Sequence, residues 1–357
     1  MAARIENTHL PKYQLSSPCK KEIALNDKED RETDSPAYTE AKSSKKAVFE
    51  YSSSASLSTT CDFIETGSCS EFGNILGVTL TPGDYKIVRY LDSGGIADVY
   101  LVIDPNENNY AAKILKSGTD TTKQFKRFLH EIEIMLRLNH HPHLLSLIAV
   151  TNMGKNPVII TEFANNGSLY SLMKRGDLTL GMVLKYIEES SCGLCKMHEK
   201  GFVHRDIKPH NILVVQVSAK LADFDLTREI ADDTFDTSEN SISGTINYIS
   251  PEQAEAKNKI LDPRSDIYSL GATMFHLLTG KTVFSGNVCE IVEQHISSQP
   301  PHPYDLNKKI SQELDSIVFR TLSKDPKDRP SLLELRNSIL RELNCNKNLG
   351  FILTEAT

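Results

Sequence analysis

His204-Arg205-Asp206-Ile207-Lys208-Pro209-His210-Asn211 lies between a helix-like segment and the apolar run at 212–217. Within eight residues it gathers an Asp able to take a proton, a Lys two positions on and an Asn five positions on. That spacing suits an enzyme that orients a hydroxyl beside a polyphosphate and holds a divalent metal. The loop supplies only part of such a site. Partners for it must lie at suitable distances on both sides.

Working outward, 357 residues with 39% hydrophobic content allow one large domain or two smaller ones. A formal net charge of −7 argues against a nucleic-acid binder, which calls for a basic surplus or stripe. Seven cysteines, an odd number without regular spacing, read as thiols in a reducing compartment. Cys192 and Cys195 form a C-x-x-C, but they sit in a helical pattern with Val183, Ile187, Leu194 and Met197 near one stripe. No second ligand pair accompanies them, so packing is preferred to redox or metal chemistry. The chain has no basic start followed by an apolar stretch, and no run approaches 18 apolar residues. A cytoplasmic protein without a membrane span is expected, with the host-cell cytosol as the alternative if a bacterium exports it.

Residues 1–74 are rich in Ser, Thr, Lys, Glu and Asp with poor apolar periodicity, and are expected to be disordered. From Ile75 the texture changes. Strand-like runs occupy 85–91, 99–103 and 110–115, each bounded by Gly, Pro, Asn or Asp. A helix is expected over 122–139, with Phe125, Phe128, Leu129, Ile132, Met135 and Leu136 at helical spacing. Strands return at 144–151 and 158–162. Beyond Gly167 the pattern is mainly helical, interrupted by the Asp206 loop and a polar stretch at 227–244. Strands first and helices afterwards imply an α+β fold of two lobes, not an alternating parallel sheet.

Three further features bear on phosphate chemistry. The turn Leu91-Asp92-Ser93-Gly94-Gly95-Ile96-Ala97-Asp98-Val99 joins two strand-like runs, and its small residues let main-chain N–H groups approach phosphate oxygens. Asp92 is a difficulty there, since a carboxylate repels phosphate unless it points away or meets a cation. Lys113 stands in an otherwise apolar strand, Ala111-Ala112-Lys113-Ile114. Glu131 shares a helix side with Phe128 and Met135, and a carboxylate on a buried stripe needs a cation, for which Lys113 is the natural partner. Finally, Asp223 and Asp225 in Lys220-Leu221-Ala222-Asp223-Phe224-Asp225 place carboxylates at a strand end.

From residue 84 to residue 343 these features resemble, in order, the Hanks-type serine/threonine protein kinases, with motif wording nearer to bacterial members. Ser250-Pro251-Glu252, Asp266 in Ser265-Asp266-Ile267-Tyr268-Ser269-Leu270-Gly271, and Arg329 in Lys324-Asp325-Pro326-Lys327-Asp328-Arg329-Pro330 extend the likeness. The resemblance implies a bilobal fold, with a small, mainly β N-lobe, a larger, mainly α C-lobe and a short tail at 344–357. It implies ATP with Mg2+, or Mn2+, as cofactor and proteins with Ser/Thr acceptors as substrates. Asp206 would orient the hydroxyl and accept its proton, Lys208 would steady the γ-phosphate, and Asn211 and Asp223 would hold metal ions. Lys113, held by Glu131, would position the nucleotide beneath the 91–99 turn. Leu91, Val99, Ala111 and Leu213 would sandwich adenine, and main-chain groups of Glu162 and Ala164, beyond the gatekeeper Thr161, would read its edge. His204, Phe224, Met135 and Leu147 match a stacked hydrophobic spine. Glu252 would pair with Arg329, and Asp266 would brace the catalytic loop.

Against the family pattern, Asp92 and Ala97 replace two glycines of the turn, and Asp225 replaces the Gly after Phe224. That last exchange stiffens the hinge of the following segment and is expected to retune its switching while leaving Asp223 able to bind metal. Lys208 and the pair Gly244-Thr245 favour Ser/Thr over Tyr. His210 and Ser168 stand where Arg-directed members carry acids, so no Arg preference is expected. Phosphorylation in trans between transiently associated copies is expected at Thr237, Ser238 or Ser241, among the hydroxyls Thr234, Thr237, Ser238, Ser241 and Ser243, with Arg205 as the charge to be neutralised. A catalytically silent scaffold would explain Asp92, Ala97 and Asp225, but Lys113, Glu131, Asp206, Asn211 and Asp223 are all retained. A small-molecule kinase is disfavoured by Lys208 and the 250–252 motif, and a Cys192/Cys195 oxidoreductase lacks a cofactor motif.

Overall fold

The computed structural model describes residues 79–80, 83–116, 121–138, 140–153, 156–230, 246–255 and 262–345. The N-terminal segment 1–74, the hydroxyls at 234–243, Gly244-Thr245 and residues 346–357 lie outside the described residues.

The first lobe is an antiparallel sheet made of β1 (Thr79–Leu80), β2 (Tyr85–Ser93), β3 (Ala97–Ile103), β4 (Asn109–Leu115), β5 (Leu147–Met153) and β6 (Asn156–Glu162). Its strand order is β1-β2-β3-β4-β6-β5. Strand periodicity divides β4 between two environments. Ala112 and Ile114 are buried in a small cluster with Leu80, Ile87, Tyr100, Val102, Val158 and Ile160, while Ala111 and Lys113 point the opposite way. The strands expected from sequence are present. The two-residue β1 is too short to give a period, and Leu144 forms only an isolated bridge to Leu221.

Helix α1 (Thr121–Leu138) packs against β5 of this sheet. Its apolar residues do not form the single buried stripe expected from sequence. Phe128, Ile134, Met135 and Leu138 are buried with Glu131, whereas Phe125, Leu129 and Leu136 are 38%, 44% and 55% exposed. The apolar arc is wider than the face that the rest of the fold covers, and periodicity alone cannot say which part of a wide arc is used.

The second lobe contains α2 (Leu169–Arg175), α3 (Leu180–Glu199), α4 (Pro251–Glu255), α5 (Arg264–Thr279), α6 (Val288–Ser297), α7 (Pro303–Leu306), α8 (Gln312–Thr321) and α9 (Leu332–Cys345). Helix starts are written locally. Ser168, Thr179, Asn287 and Ser311 cap α2, α3, α6 and α8, each side chain accepting a main-chain N–H three residues on. α5 is buried on nearly every face, and Gly271 permits its approach to α8, since a Cβ there would lie 2.0 Å from Thr321 Oγ1. Between the lobes run β7 (Phe202–Val203), paired with β10 (Arg228–Glu229), and the hairpin β8 (Ile212–Val215) with β9 (Ser218–Leu221). The fold is therefore the expected bilobal α+β arrangement. Cys192 and Cys195 are free thiols on α3, and burial, the larger cause, raises both pKa values. No helix among the described residues is long and apolar enough to cross a membrane.

Two buried imidazoles are expected to make the helical lobe acid-sensitive. His276 Nδ1 lies 2.7 Å from Tyr248 Oη and His295 Nδ1 2.9 Å from Tyr268 Oη. Burial, aided by Lys174 and His210 at His276 and by Lys324 at His295, holds both rings down to about 4. Both are neutral when folded and charge on unfolding once the pH falls below the ordinary value of 6.5. Their contribution is thus complete above that value and is lost as the pH falls toward 4, on the order of 3 kcal/mol for each ring. Urea unfolding at pH 7.5, 6 and 5 is expected to show stability falling with pH. His276→Gln/His295→Gln should flatten that dependence, and an unchanged slope would assign it to other groups.

Candidate active site

The loop after β7 is held in an unusual conformation by one buried carboxylate. Asp266, at the start of α5, accepts the N–H of His204 on Oδ2 and of Arg205 on Oδ1, both at 2.9 Å, and His198 Nε2 lies 2.8 Å from Oδ2. Burial pushes this carboxyl up, but His198 and these hydrogen bonds outweigh it and hold the pKa below the usual range. Arg205 sits at φ 69°, a left-handed conformation uncommon outside glycine, so the turn depends on that support. Gln253 Nε2 adds a hydrogen bond to Arg205 O at 3.0 Å. Asp266 was expected to brace this loop from family resemblance, whereas His198 carries no sequence signal beyond lying on α3.

The same loop leaves Asp206 asymmetric. Its Oδ2 accepts from Lys208 Nζ at 2.7 Å and from Asn211 Nδ2 at 2.8 Å. Its Oδ1 is buried and has no partner among the described residues. An unpaired buried carboxylate oxygen is costly, and here it is the one free acceptor position of a side chain whose other oxygen is fully used.

Across the cleft, Lys113 Nζ donates to both Glu131 oxygens at 2.8 Å and to Asp223 Oδ1 at 2.9 Å. The Glu131 side chain is 4% exposed. Burial raises the Glu131 pKa and Lys113 opposes it; at Lys113, the pull of Asp223 and Glu131 overcomes burial and keeps the ammonium protonated. Asp223 sits at φ 65°; burial raises its pKa, but Lys113, with Lys208 and His204, brings it below its ordinary value. Among the described residues, no group of three or more His, Cys, Asp or Glu could by itself hold a metal. The hard oxygens of Asp223 and Asn211 nevertheless fit Mg2+, which binds few protein groups and takes the rest from phosphate and water.

The turn between β2 and β3 closes by Gly94 N–H to Ala97 O at 2.8 Å, and Lys116 Nζ reaches Gly94 O at 2.6 Å. Neither Gly94 nor Gly95 adopts positive φ, and a Cβ at Gly95 would meet nothing, so their value there is clearance. Ile96 and Ala97 are buried in the core and could offer a ligand only main chain, whereas Ser93 Oγ is tied to Asp98 Oδ1 at 2.7 Å. Asp92 Oδ1 accepts Ser93 N–H, and its charge is felt by His210, where burial and Lys208 still hold the ring low. His210 stacks on Tyr170 with ring centroids 3.8 Å apart.

Leu91 on β2, Val99 on β3, Ala111 on β4 and Leu213 on β8 are each half-buried. Ala111 pairs with Thr161 in register, and Leu213 bridges to Ser168. Glu162 turns its side chain to Ser146 N–H and Lys220, while Ala164 is half-buried in the linker that follows β6. Met135, Leu147 and Phe224 share the main core, and the His204 ring lies 5.6 Å from that of Phe224. Arg127 is a residue that sequence reasoning missed. Its Nη2 donates to Asp225 Oδ2 at 3.0 Å, and the available signal was an Arg one helical turn before Glu131 beside an added carboxylate.

The family described as protein kinase domain matches residues 85–340. The chain is similar to the serine/threonine-protein kinase PknB of Mycobacterium leprae, 31% identical over 267 residues that cover 72% of this chain and 42% of that protein. It is also similar to PrkC of Bacillus subtilis, 31% identical over 68% of this chain and 38% of the relative, and to PknL of Mycobacterium tuberculosis, 34% identical over 69% and 62%. The chain thus spans about two fifths of the length of the first two relatives.

Proposed function

This chain belongs to the Hanks-type protein kinase family, and on that footing we propose that it transfers the γ-phosphoryl group of MgATP to Ser or Thr hydroxyls of other proteins. The observation that carries this reading is Asp206, with Oδ2 held by Lys208 and Asn211 and Oδ1 buried and unpartnered. Oδ1 would align the acceptor hydroxyl and take its proton. Lys208 would turn from Asp206 to the transferring oxygens, and Lys113, fixed by Glu131, would orient the nucleotide. Bound MgATP supplies the phosphoryl group and cations that neutralise its charge, with Asn211 and Asp223 as the ligands from this chain. Leu91, Val99, Ala111 and Leu213 would enclose adenine, main chain of Glu162 and Ala164 would meet its edge, and the 91–99 turn would cover the phosphates. Catalysis is then positioning and electrostatic stabilisation without a covalent enzyme intermediate.

The reading includes regulation by phosphorylation in trans at Thr237, Ser238 or Ser241, outside the described residues, and a cytoplasmic site of action. The test is transfer of label from γ-labelled ATP to a generic protein substrate, with phosphosites mapped on wild type and Asp206→Asn. Incorporation into Ser and Thr that disappears in the variant is expected. Absence of transfer with any divalent cation would leave a nucleotide-binding scaffold instead, and identical phosphosites in both proteins would remove the self-phosphorylation step.

A further inference from the structure

The Asp that replaces Gly in Asp223-Phe224-Asp225 has no part in the steps above, yet its carboxylate is 15% exposed and close enough to Asp223 to feel that charge. Burial, and then Asp223, push its pKa up, while Lys113 and Arg127 oppose them. Lys113 is already committed to Glu131 and Asp223, which leaves Arg127 as the cation in direct contact. Arg127 lies four residues before Glu131, so one face of α1 carries both ion pairs. The same helix continues in step with the chain beyond Asp225: His130 Nε2 lies 2.9 Å from Thr227 O, and Arg137 pairs with Glu229.

We propose that Arg127 and Asp225 form a latch that holds α1 and the segment beginning at Asp223 in the inward arrangement, replacing a flexible hinge residue with an electrostatic tie. Asp225 is not among the positive-φ residues, so this arrangement does not require glycine there. Asp223 is, two positions earlier, and its left-handed conformation persists only where its surroundings hold it. Lys113 holds it from the sheet side and the latch from the helix side. A term for release is also present. Arg127 Nε and Gln124 Oε1, one turn apart on α1, are buried without partners among the described residues, and an outward swing would hydrate both. The latch therefore opposes a built-in bias toward opening, and Arg127 and Asp225 act as positioning residues for Glu131 and Asp223.

This inference rests on the phosphotransfer reading, and its test separates the two. Wild type, Arg127→Ala, Asp225→Gly and the double variant are compared in kcat, KM for ATP, and amide hydrogen exchange of residues 121–138, with thermal melts confirming that each folds. Arg127→Ala alone is expected to lower kcat by about tenfold with KM little changed, and to speed exchange in α1. Added to Asp225→Gly, the same change should alter kcat by less than about twofold and leave exchange unchanged. Arg127→Lys should recover part of the loss. Equal effects of Arg127→Ala in both backgrounds would overturn the latch. If wild type transfers no phosphate, the phosphotransfer reading fails, and the exchange cycle alone decides the latch by the same criterion.

Discussion

Asp206→Asn is expected to lower kcat by roughly 100- to 10,000-fold while leaving KM for ATP and the melting temperature close to wild type. The exchange is nearly isosteric, and the amide oxygen can still accept from Lys208 Nζ and Asn211 Nδ2, so the loop keeps its internal bonds. That orientation puts the new NH2 where Oδ1 now lies buried and unpartnered. A donor then faces the acceptor hydroxyl, and no basic group remains to take its proton. On the proposed reading, nucleotide contacts would depend instead on Lys113, held by Glu131 and Asp223. Steady-state kinetics and the nucleotide-induced shift in melting temperature measure the two halves separately. Activity within tenfold of wild type would mean that proton transfer is not limited by Asp206.

How much of this site was legible in the sequence follows from the range of each interaction. Lys113 and Glu131 were paired on an argument internal to the chain: a carboxylate among Phe128 and Met135 needs a cation, and an apolar strand offered one. Their 2.8 Å contact is that argument realised. The loop from His204 to Asn211 is local, and its residue types carry its chemistry. What periodicity could not supply was the choice of face. Phe125, Leu129 and Leu136 repeat at helical spacing as regularly as the residues α1 buries, and only the surrounding packing decides between them. Arg127 escaped for a related reason: it is an ordinary charged residue on a charged helix until Asp225 is brought beside it from 98 residues away. Asp225 itself was visible as a departure from pattern. Its cost was legible and its compensation was not, because the compensation is tertiary.

Arg329→Ala is expected to destabilise the helical lobe by about 3–5 kcal/mol, the range for breaking a buried ion pair from one side. The Arg329 side chain is fully buried, and its Nη1 and Nη2 donate to Glu252 Oε1 and Oε2 at 2.6 and 2.8 Å. Its Nε reaches Ser323 O, and the two Nη groups also reach Arg264 O and Lys324 O. Removal therefore strands a carboxylate and three carbonyls together. At Glu252 burial raises the pKa, but Arg329 and Ser265 bring it below its ordinary value, so loss of the guanidinium would leave the burial penalty uncovered. Two results distinguish this from simple loss of volume. Arg329→Met, which keeps much of the stem, should cost nearly as much as Arg329→Ala, while Glu252→Gln/Arg329→Met should cost less than Arg329→Met alone, because the stranded charge is gone. Urea unfolding of these three variants together with Glu252→Gln supplies both comparisons and closes the cycle, and strict additivity would show that the pair is not coupled. The effect also reaches the catalytic loop. Glu252 lies in the first turn of α4, and the next residue, Gln253, donates to Arg205 O beside Asp206. Arg329→Met measured well below its melting temperature should therefore still lose kcat, whereas a purely structural brace would leave the surviving folded fraction fully active.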